Sequence, residues 1–357
     1  MMQQSLAGRV FQKVQPLLAV ALGLSLGLAV TTLAGESPWH VLQVLLKSAF
    51  GSKYDLGMTL FFATPLVLTG LAVSVAFRAG LFNIGGEGQL ALGALAVAAV
   101  GMKWPGLPSL VAIPLGLFAA MGAGALWGAI PGWLRARRGS HEVINTIMLN
   151  FIAAGLASWV TLYPLKNPDT QSPETAPVGA GYLLGKLGFF GDAPVSVALF
   201  GAILAAVAVW FLFEKTVLGY EIRAVGESEA SARLAGVDPG RVRIIAMALS
   251  GMLAGAVGVV EVMGNSGKFK PGFSPDYGFI GIAVALLARN HPLGILGSAL
   301  LFGALHKGAG DLDLETEHVT RELSFVLQAL VILSVAADGL WVHLKSKFEK
   351  KEGGTHA

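Results

Sequence analysis

Long apolar stretches alternate with short polar ones along most of the chain. Each stretch, read between charged residues and Pro, Gly or Asn breaks, is a candidate bilayer crossing, because a membrane-spanning helix needs about 20 mostly apolar residues. The pattern predicts about ten such spans, near residues 16–34, 56–77, 87–102, 109–131, 143–162, 194–213, 242–262, 278–288, 292–308 and 322–340. The eighth and ninth spans are short, and they either cross the membrane or form a helical hairpin that does not.

Composition supports a polytopic membrane protein. Hydrophobic residues make up 54% of the 357 positions and charged residues 13%, whereas about a quarter of the residues of a soluble domain are charged. The chain has no cysteine, which excludes a disulfide framework and a thiolate metal site. Its seven histidines lack metal-ligand spacing. The sequence therefore predicts no metal or other cofactor bound by this chain, and nothing in it indicates nucleic-acid binding.

The positions of lysine and arginine predict the orientation. With the N-terminus on the cytoplasmic side, 16 of the 25 basic residues fall on inner segments and 9 on outer ones, in agreement with the excess of positive charge on cytoplasmic loops. Both termini are therefore expected in the cytoplasm, with a membrane domain over 16–341 between a segment 1–15 and a charged tail 342–357. The apolar stretch 16–34 is longer than the roughly 7–15 residues of a signal peptide core, so we expect an uncleaved first span.

The stretch FRAGLFNIGGEGQLALGAL, Phe77 to Leu95, places polar residues among glycines between two apolar spans. Each glycine in a helix interior costs roughly 1 kcal/mol relative to alanine, so this cluster predicts a broken helix. Broken backbone at membrane depth is tolerated only where it is buried in protein or faces a water-filled cavity. Either Asn83, Glu87 and Gln89 line a substrate cavity at the start of a new helix, or the stretch is a plain cytoplasmic turn.

A second polar face lies in GSHEVINTIMLNF, Gly139 to Phe151. Glu142, Thr146 and Asn150 recur every four residues, which places them on one side of a helix whose other positions are apolar. In a membrane helix, such a stripe turns away from lipid toward protein or a pore. Thr146 and Asn150 therefore either line the substrate path or hydrogen-bond to a neighbouring helix.

The stretch VVEVMGNSGKFKPGFSPDYGF, Val259 to Phe279, begins at the end of an apolar span. Its Gly-Lys pair suggests a phosphate-binding loop, but Val262 occupies the place of the first glycine and Phe269 follows the lysine. The sequence therefore predicts no nucleotide site of this kind. The segment is expected to be an external loop or a re-entrant gate.

Pairs of small residues spaced by four occur inside several spans. In lipid, helices associate by close packing, which small residues permit, so these pairs predict a tight helix bundle. The pairs are Gly23/Gly27, Gly124/Gly128 and Gly251/Gly255.

The largest predicted internal segment is 214–243, EKTVLGYEIRAVGESEASARLAGVDPGRVR. Its core, Glu227 to Leu234, contains good helix formers, Gly236 is placed to end that helix, and Asp238-Pro239-Gly240 predicts a turn. A short cytoplasmic helix between two membrane spans is well placed to be pushed by another protein. The alternative is an ordinary amphipathic connector.

The core of this segment, AVGESEASARLAGVD, resembles the coupling-helix region of ABC importer permeases in the branched-chain amino acid, ribose and nucleoside group. GLFNIGGEGQLALGA resembles the hallmark segment near the third membrane helix of that group. FGSKYDLGMTLFFATPLVLTGLAVSVAFRAGLFNIGGEGQ and GSHEVINTIMLNFIA are similar to the nucleoside and simple-sugar branch, specifically its longer permease subunit. The resemblance covers about Val41 to Leu340, and the motifs occur in the same order.

The resemblance implies an all-α, lipid-embedded permease of a bacterial inner membrane, with a cytoplasmic coupling helix and no enzymatic activity of its own. It also implies a second related permease, a cytoplasmic ATPase with two nucleotide-binding halves that holds ATP and magnesium, and an external substrate-binding lipoprotein. On this chain Glu227–Asp238 would dock on the ATPase, and Arg233 would pair with ATPase carboxylates. The residues expected to carry this coupling are Glu227, Glu229, Arg233, Gly236 and Asp238.

The expected function is transport of nucleosides, or of simple sugars, by alternating access driven by ATP. These substrates carry many hydroxyl groups and no net charge, which suits a path of amides, hydroxyls and backbone groups. The alternative is a stand-alone transporter coupled to H⁺ or Na⁺, with Glu87 and Glu261 as coupling carboxylates. That mechanism does not need the large internal segment. A membrane-embedded enzyme is disfavoured because the chain has no nucleophile–base set or metal motif.

Overall fold

The computed structural model describes residues 6–337, so the predicted tail 342–357 lies outside the described residues. The helices are α1 (Leu6–Thr31), α2 (Pro38–Phe50), α3 (Lys53–Arg78), α4 (Gly86–Lys103), α5 (Ser109–Arg138), α6 (Glu142–Leu162), α7 (Ala198–Lys215), α8 (Val217–Glu227), α9 (Glu229–Leu234), α10 (Pro239–Gly255), α11 (Tyr277–Leu287), α12 (Gly294–Ala309), α13 (Leu312–Glu315) and α14 (Leu323–Ala336). A π-helical segment, Val259–Ser266, follows α10. No strand occurs between residues 6 and 337, which confirms the predicted all-α class for this part of the chain.

Five of the described helical stretches are long and apolar enough to cross a membrane. They are Lys53–Arg78, Ser109–Arg138, Glu142–Leu162, Ala198–Lys215 and Pro239–Ser266. The bent pair Leu18–Ala34 and Pro38–Phe50, with an angle of 120° between its helices, makes a sixth if it is one broken span. The other predicted spans coincide with α4, α11, α12 and α14, which do not meet the same criteria. The predicted number of about ten and the cytoplasmic termini therefore stay predictions.

The described residues divide into two compact units, one formed by those up to Gly51 together with those from Leu305 onward, and the other by residues 52–304. In the first unit, α1 packs closely against α14. A Cβ added to Gly23 would lie 2.5 Å from Cα of Val331, so only glycine permits this approach of the two backbones.

In the second unit, α5 and α10 touch through glycines on both helices. A Cβ on Gly124 would lie 2.8 Å from Cα of Gly255, and one on Gly128 would lie 2.9 Å from Cα of Gly251. Real Cβ atoms essentially never come within 3.0 Å of such neighbours, so neither position accommodates a side chain. The tight packing predicted from these pairs of small residues is confirmed here.

The helical structure is interrupted between α3 and α4, as the glycine cluster predicted. The helix α3 ends at Arg78, α4 begins at Gly86, and the residues between them are not helical. Gly80 has a φ of +70°, a conformation that glycine adopts without strain. The backbone of Gly226 packs against this turn so closely that a Cβ on Gly226 would overlap the carbonyl oxygen of Arg78.

The non-helical residues before α4 run back into the helix bundle. Asn83 Nδ2 donates to Ser250 Oγ at 2.8 Å, and Ser250 Oγ donates to the carbonyl oxygen of Ala72 at 2.6 Å. Ala72 lies about 9 Å along the α3 axis from Arg78, at 1.5 Å per residue. The helix α4 therefore begins inside the bundle instead of at its end.

A second non-helical segment, residues 267–276, follows the π-helical segment. It lies alongside α4 and runs antiparallel to it. Near the C-terminal end of α4, Val178 packs on Gly101 and its backbone nitrogen donates to the carbonyl oxygen of Gly267 at 2.8 Å. At the N-terminal end of α4, a Cβ on Gly86 would lie 3.1 Å from Cα of Gly278. The helix α11 thus begins beside the first residue of α4. The choice between an external loop and a re-entrant gate stays a prediction.

Candidate functional site

Glu87 lies where the N-termini of α4 and α11 meet. Its Oε1 accepts hydrogen bonds from the backbone nitrogen of Gly278 at 2.6 Å and from Ser274 Oγ at 3.1 Å. The residue also belongs to the first turn of α4. Because the N-terminus of a helix carries partial positive charge, both helices stabilise a carboxylate at this point.

Asn150 on α6 holds the start of α4 from the other side. Its Nδ2 donates to the carbonyl oxygen of Ile84 at 2.9 Å, and its Oδ1 accepts from the backbone nitrogen of Gly88 at 2.8 Å. The side chain therefore caps one of the backbone N–H groups that a helix start leaves without a partner inside the helix. This contact fixes the position of Asn150 relative to Glu87.

A pocket of about 160 Å³ lies between α4, α6 and residues 269–274. Its polar lining includes Glu87, Asn150 and Ser158, and its apolar lining includes the aromatic rings of Phe269 and Phe273. The volume is below the roughly 300–1,000 Å³ of sites for drug-sized ligands. In this conformation the pocket therefore suits a fragment of a ligand, such as one ring.

The other three predicted substrate-path residues lie beside the pocket but are buried in protein. Asn83 Nδ2 donates to Gln89 Oε1 at 2.9 Å, and Gln89 Nε2 donates to Asn83 Oδ1 at 3.2 Å. Thr146 Oγ1 donates to the carbonyl oxygen of Glu142, in its own helix, at 2.8 Å. The three residues are 1%, 1% and 0% exposed, so their polar groups face protein partners instead of the pocket.

The polar and aromatic lining includes four residues that were not predicted as site residues from the sequence. Ser158 extends the stripe of Thr146 and Asn150 by two further helical turns, so the spacing of polar residues on α6 contained that signal. The others, Phe269, Phe273 and Ser274, follow the π-helical segment, more than 160 residues after the end of α4. Their approach to Glu87 depends on the tertiary course of the chain.

Glu261, one of the two carboxylates of the ion-coupled alternative, lies in the π-helical segment and does not line this pocket. Asn265 Nδ2 donates to both of its carboxylate oxygens, at 3.3 and 3.2 Å. π-helical segments occur often at functional sites, where they alter the direction of side chains. Here the segment joins α10 to the non-helical residues that form one wall of the pocket.

The predicted coupling segment contains two helices instead of one. The helix α8 ends at Glu227, and α9 covers Glu229–Leu234. Ser228 separates the two helices. Ser228 caps α9, since its Oγ accepts from the backbone nitrogen of Ser231 at 3.2 Å. The interruption is consistent with the preference of serine for the first position before a helix.

The end of α9 and the start of α10 are defined by Gly236 and Asp238. Gly236 has a φ of +81°, which confirms its predicted place just after the helix. The prediction of a separate turn at Asp238-Pro239-Gly240 is wrong. Asp238 caps α10, its Oδ1 accepting from the backbone nitrogen of Gly240 at 2.9 Å, and Pro239 is the first helical residue.

Glu229 bridges two arginines. Its Oε1 lies 2.7 Å from Arg233 Nη2, and its Oε2 lies 2.6 Å from Nη2 of Arg243, near the start of α10. Hydrogen bonds from Arg233 and Arg243 hold the pKa of Glu229 below its usual value. Arg233 is thus paired within the chain, whereas Leu234, next to it, is 91% exposed.

The sequence matches a family model described as branched-chain amino acid transport system / permease component, over residues 56–336. The guanosine ABC transporter permease protein NupP of Bacillus subtilis is 36% identical over 341 residues, covering 94% of this chain and 96% of that one. The nucleoside ABC transporter permease protein NupB of Lactococcus lactis is 36% identical and covers 90% of each chain. The glucose ABC transporter permease protein TsgB13 of Haloferax volcanii is 35% identical, over 89% of this chain and 85% of that one.

Relatives also occur as pairs of permease proteins. A second guanosine ABC transporter permease protein of Bacillus subtilis, NupQ, is 32% identical over 252 residues, covering 69% of this chain and 78% of that one. The relatives are permease subunits of ABC transporters, that is, transport components. The ion-coupled alternative is therefore not favoured. The family match and these identities extend over most of the chain, and the chain therefore belongs to the branched-chain amino acid transport system / permease component family of ABC transporters.

Proposed function

We propose that this chain is the membrane permease subunit of an ATP-driven importer of nucleosides and forms half of its translocation path. The names of the Bacillus subtilis and Lactococcus lactis relatives refer to guanosine and to nucleosides, which supports this substrate class. The name of the Haloferax volcanii relative refers to glucose, so simple sugars are the second candidate.

The lining of the pocket carries the substrate proposal. Glu87 offers a hydrogen-bond acceptor, and Asn150 and Ser158 offer groups that donate and accept, as the hydroxyls of a sugar ring require. Phe273, which is partly exposed, offers an aromatic face on which a base can stack. The pocket therefore favours a hydroxyl-rich substrate.

The proposed arrangement has the chain in a bacterial inner membrane with both termini and the segment 214–243 in the cytoplasm. The membrane domain covers 16–341, between the short segments 1–15 and 342–357. A second permease completes the path, as the paired relatives suggest. A cytoplasmic ATPase with two nucleotide-binding halves binds ATP and magnesium, and an external lipoprotein delivers the substrate.

The ATPase docks on α9 and the turn after it, through Glu227, Glu229, Arg233, Gly236 and Asp238. The ion pairs of Glu229 support this role, because they join α9 to Arg243 at the base of α10. A push on α9 is then passed to α10 and from there to the helices around the pocket. The exposed side chain of Leu234 gives α9 an apolar contact for the ATPase.

Uptake of labelled guanosine into proteoliposomes tests this function. The chain is reconstituted with and without its second permease and ATPase, and supplied with either ATP or a gradient of H⁺ or Na⁺. Uptake is expected only with ATP and the full set of subunits. Gradient-driven uptake by this chain alone would contradict the proposal and support the ion-coupled alternative.

Glu229→Gln tests the coupling within the same assay. The substitution weakens both ion pairs of Glu229, so ATP hydrolysis is expected to continue while uptake falls. Glu221→Gln on α8 is the matched control and should leave uptake unchanged. Equal uptake by the two variants would show that the link between α9 and α10 does not transmit the motion.

The absence of cysteine makes the orientation directly measurable. Ala230→Cys introduces a single thiol at an exposed position of α9. A membrane-impermeant maleimide is expected to label this thiol only from the cytoplasmic side. Labelling only from the external side would contradict both the orientation and the docking of the ATPase on α9.

A further inference from the structure

A long apolar groove of about 580 Å³ lies in the second unit, against one face of α7. The opposite wall is formed by α3, α5 and α10, and every residue that lines the groove is apolar. On α7 the lining residues include Gly201, Ala205 and Ala208, which recur on one helical face and leave space where larger side chains would fill it. A Cβ added to Gly201 would meet no atom within 4 Å.

The dimensions of the groove match an acyl chain. Along α7 the lining runs from Ala198 to Leu212, about 21 Å at 1.5 Å per residue. The hydrocarbon core of a bilayer is about 30 Å thick, so the groove is longer than one leaflet. Leu117 and Leu204, which belong to the lining, are exposed, and the groove is therefore open along its side in the described part of the chain.

Positive charge lies at one end of the groove. Val75 and Leu212 line that end, one helical turn or less from Arg78 and Phe213. The guanidinium carbon of Arg78 lies 4.7 Å from the centre of the Phe213 ring. Arg223 on α8 lies near the same end of the groove, because it pairs with Glu214, the residue after Phe213.

The ion pair of Arg223 with Glu214 is partly open to solvent. Arg223 Nη1 lies 3.4 Å from Glu214 Oε1, with both side chains partly exposed. The guanidinium of Arg78 donates to a neutral acceptor, the carbonyl oxygen of Asn290, at 3.1 and 3.2 Å, and this contact does not compensate its positive charge. An anionic group at this end of the groove would be attracted by both Arg78 and Arg223.

We propose that this groove is a binding site for an anionic phospholipid, with an acyl chain along α7 and the phosphate beside Arg223 and Arg78. The apolar walls exclude a polar ligand, and the arginines distinguish an anionic headgroup from a zwitterionic one. Basic residues near the cytoplasmic surface attract the anionic lipids of that leaflet. The assignment of the lipid to the cytoplasmic leaflet rests on the proposed orientation, whereas the site itself does not.

Native mass spectrometry of the purified full chain, alone and with its partner subunits, tests the site directly. The probes are phosphatidylglycerol and phosphatidylcholine of equal chain length. The unmodified chain is expected to retain phosphatidylglycerol more strongly. Gly201→Phe fills the groove without a backbone clash and should abolish this retention. Gly155→Phe is the matched control, because a Cβ on Gly155 of α6 also meets no atom within 4 Å and this residue does not line the groove.

Arg223→Gln tests the headgroup contact. The preference for phosphatidylglycerol over phosphatidylcholine is expected to fall about fivefold, the effect of one basic residue near an anionic surface. Arg138→Gln, at the exposed end of α5, is the control for a general loss of positive charge and should keep the preference. An unchanged preference in Arg223→Gln overturns the assignment of the phosphate.

Two further outcomes would overturn the proposal as a whole. The first is equal retention of lipid by the unmodified chain and Gly201→Phe, or no retained lipid in either. The second is efficient crosslinking of Gly201→Cys to the second permease, which would make the groove a protein interface. These experiments measure retained lipid and crosslinking, and neither depends on transport. A failure of the proposed nucleoside transport would therefore leave their interpretation unchanged.

Discussion

Two groups of polar residues near the start of α4 both bond within the protein but differ in how much of their polar surface stays open. Glu87 and Asn150, the pocket pair, are partly buried and line the cavity. Asn83, Gln89 and Thr146, the buried trio, are at most 1% exposed and bond within the protein. For both groups the sequence left open whether they line the substrate path or belong to a turn or a helix contact, because both interrupt apolar sequence.

The comparison shows that a polar residue in a membrane helix has two different physical uses. An unpaired polar group in an apolar interior costs about 1–3 kcal/mol, so such groups find partners. Where the partner is another side chain or the backbone, the residue holds the fold together. Where a polar surface stays open to a cavity, the remaining hydrogen-bonding capacity is available to a ligand. The proposed substrate contacts therefore narrow to the pocket pair.

The largest effect is expected from Asn83→Leu. The substitution removes the partner of Gln89 and also the acceptor of the backbone nitrogen of Gly85, which lies 2.9 Å from Asn83 Oδ1. Each buried group left without a partner costs about 1–3 kcal/mol. Thermal unfolding in detergent should show a clear loss of stability and a low folded yield. Stability equal to that of the unmodified protein would place the network outside the fold's core.

Glu87→Gln is expected to leave the fold intact but reduce uptake about tenfold, because hydrogen bonds to a charged group are stronger than those to a neutral one. The amide oxygen can still accept from Gly278, so helix contacts persist. The measurement is ATP-driven uptake normalised to folded protein in the membrane. Glu261→Gln is the control, since Glu261 does not line the pocket, and it should transport normally. Equal loss in both variants would instead favour ion coupling.

Asn150→Asp should have an intermediate effect. A carboxylate at this position can still accept from Gly88, but it cannot donate to Ile84 and adds a negative charge near Glu87. Uptake is expected to fall severalfold, with most of the loss in the apparent affinity for nucleoside. Kinetics over a range of substrate concentrations separate this outcome from a fall in maximum rate, which would indicate damage to helix packing instead.

Thr146→Val is expected to have the smallest effect. The two side chains have nearly the same shape, and the hydroxyl of Thr146 bonds only to carbonyl oxygens of its own helix, at Glu142 and Val143. Stability should change by less than about 1 kcal/mol, and uptake should stay within twofold. A large loss of uptake with normal stability would move Thr146 from the buried trio to the substrate path.

Local chemistry made much of the helix pattern predictable. Clustered glycines located the break between α3 and α4, and Gly236 located the end of α9. The error at Asp238-Pro239-Gly240 arose because the same residues favour a turn and the start of a helix, and only the continuation of the chain distinguishes the two. The helix α2 was missed because its 13 residues are fewer than a bilayer crossing needs.

The composition of the site was less predictable than its location. The four-residue spacing of polar residues in α6 identified Asn150. The wall formed by Phe269, Phe273 and Ser274 comes from a distant part of the chain. Whether a polar residue belongs to the pocket pair or the buried trio depends on neighbours such as Ser250, more than 160 residues from Asn83. Such long-range partners cannot be obtained from local spacing alone.

The glycine contacts between α5 and α10 have a mechanical consequence. Where backbones touch, no flexible side chain lies between them to absorb a displacement. The same α10 meets α4 in this way, since a Cβ on Gly258, just beyond its end, would lie 2.5 Å from the backbone nitrogen of Ala94. A small shift at the base of α10 therefore reaches the pocket as movement of a stiff three-helix block and is not dissipated on the way.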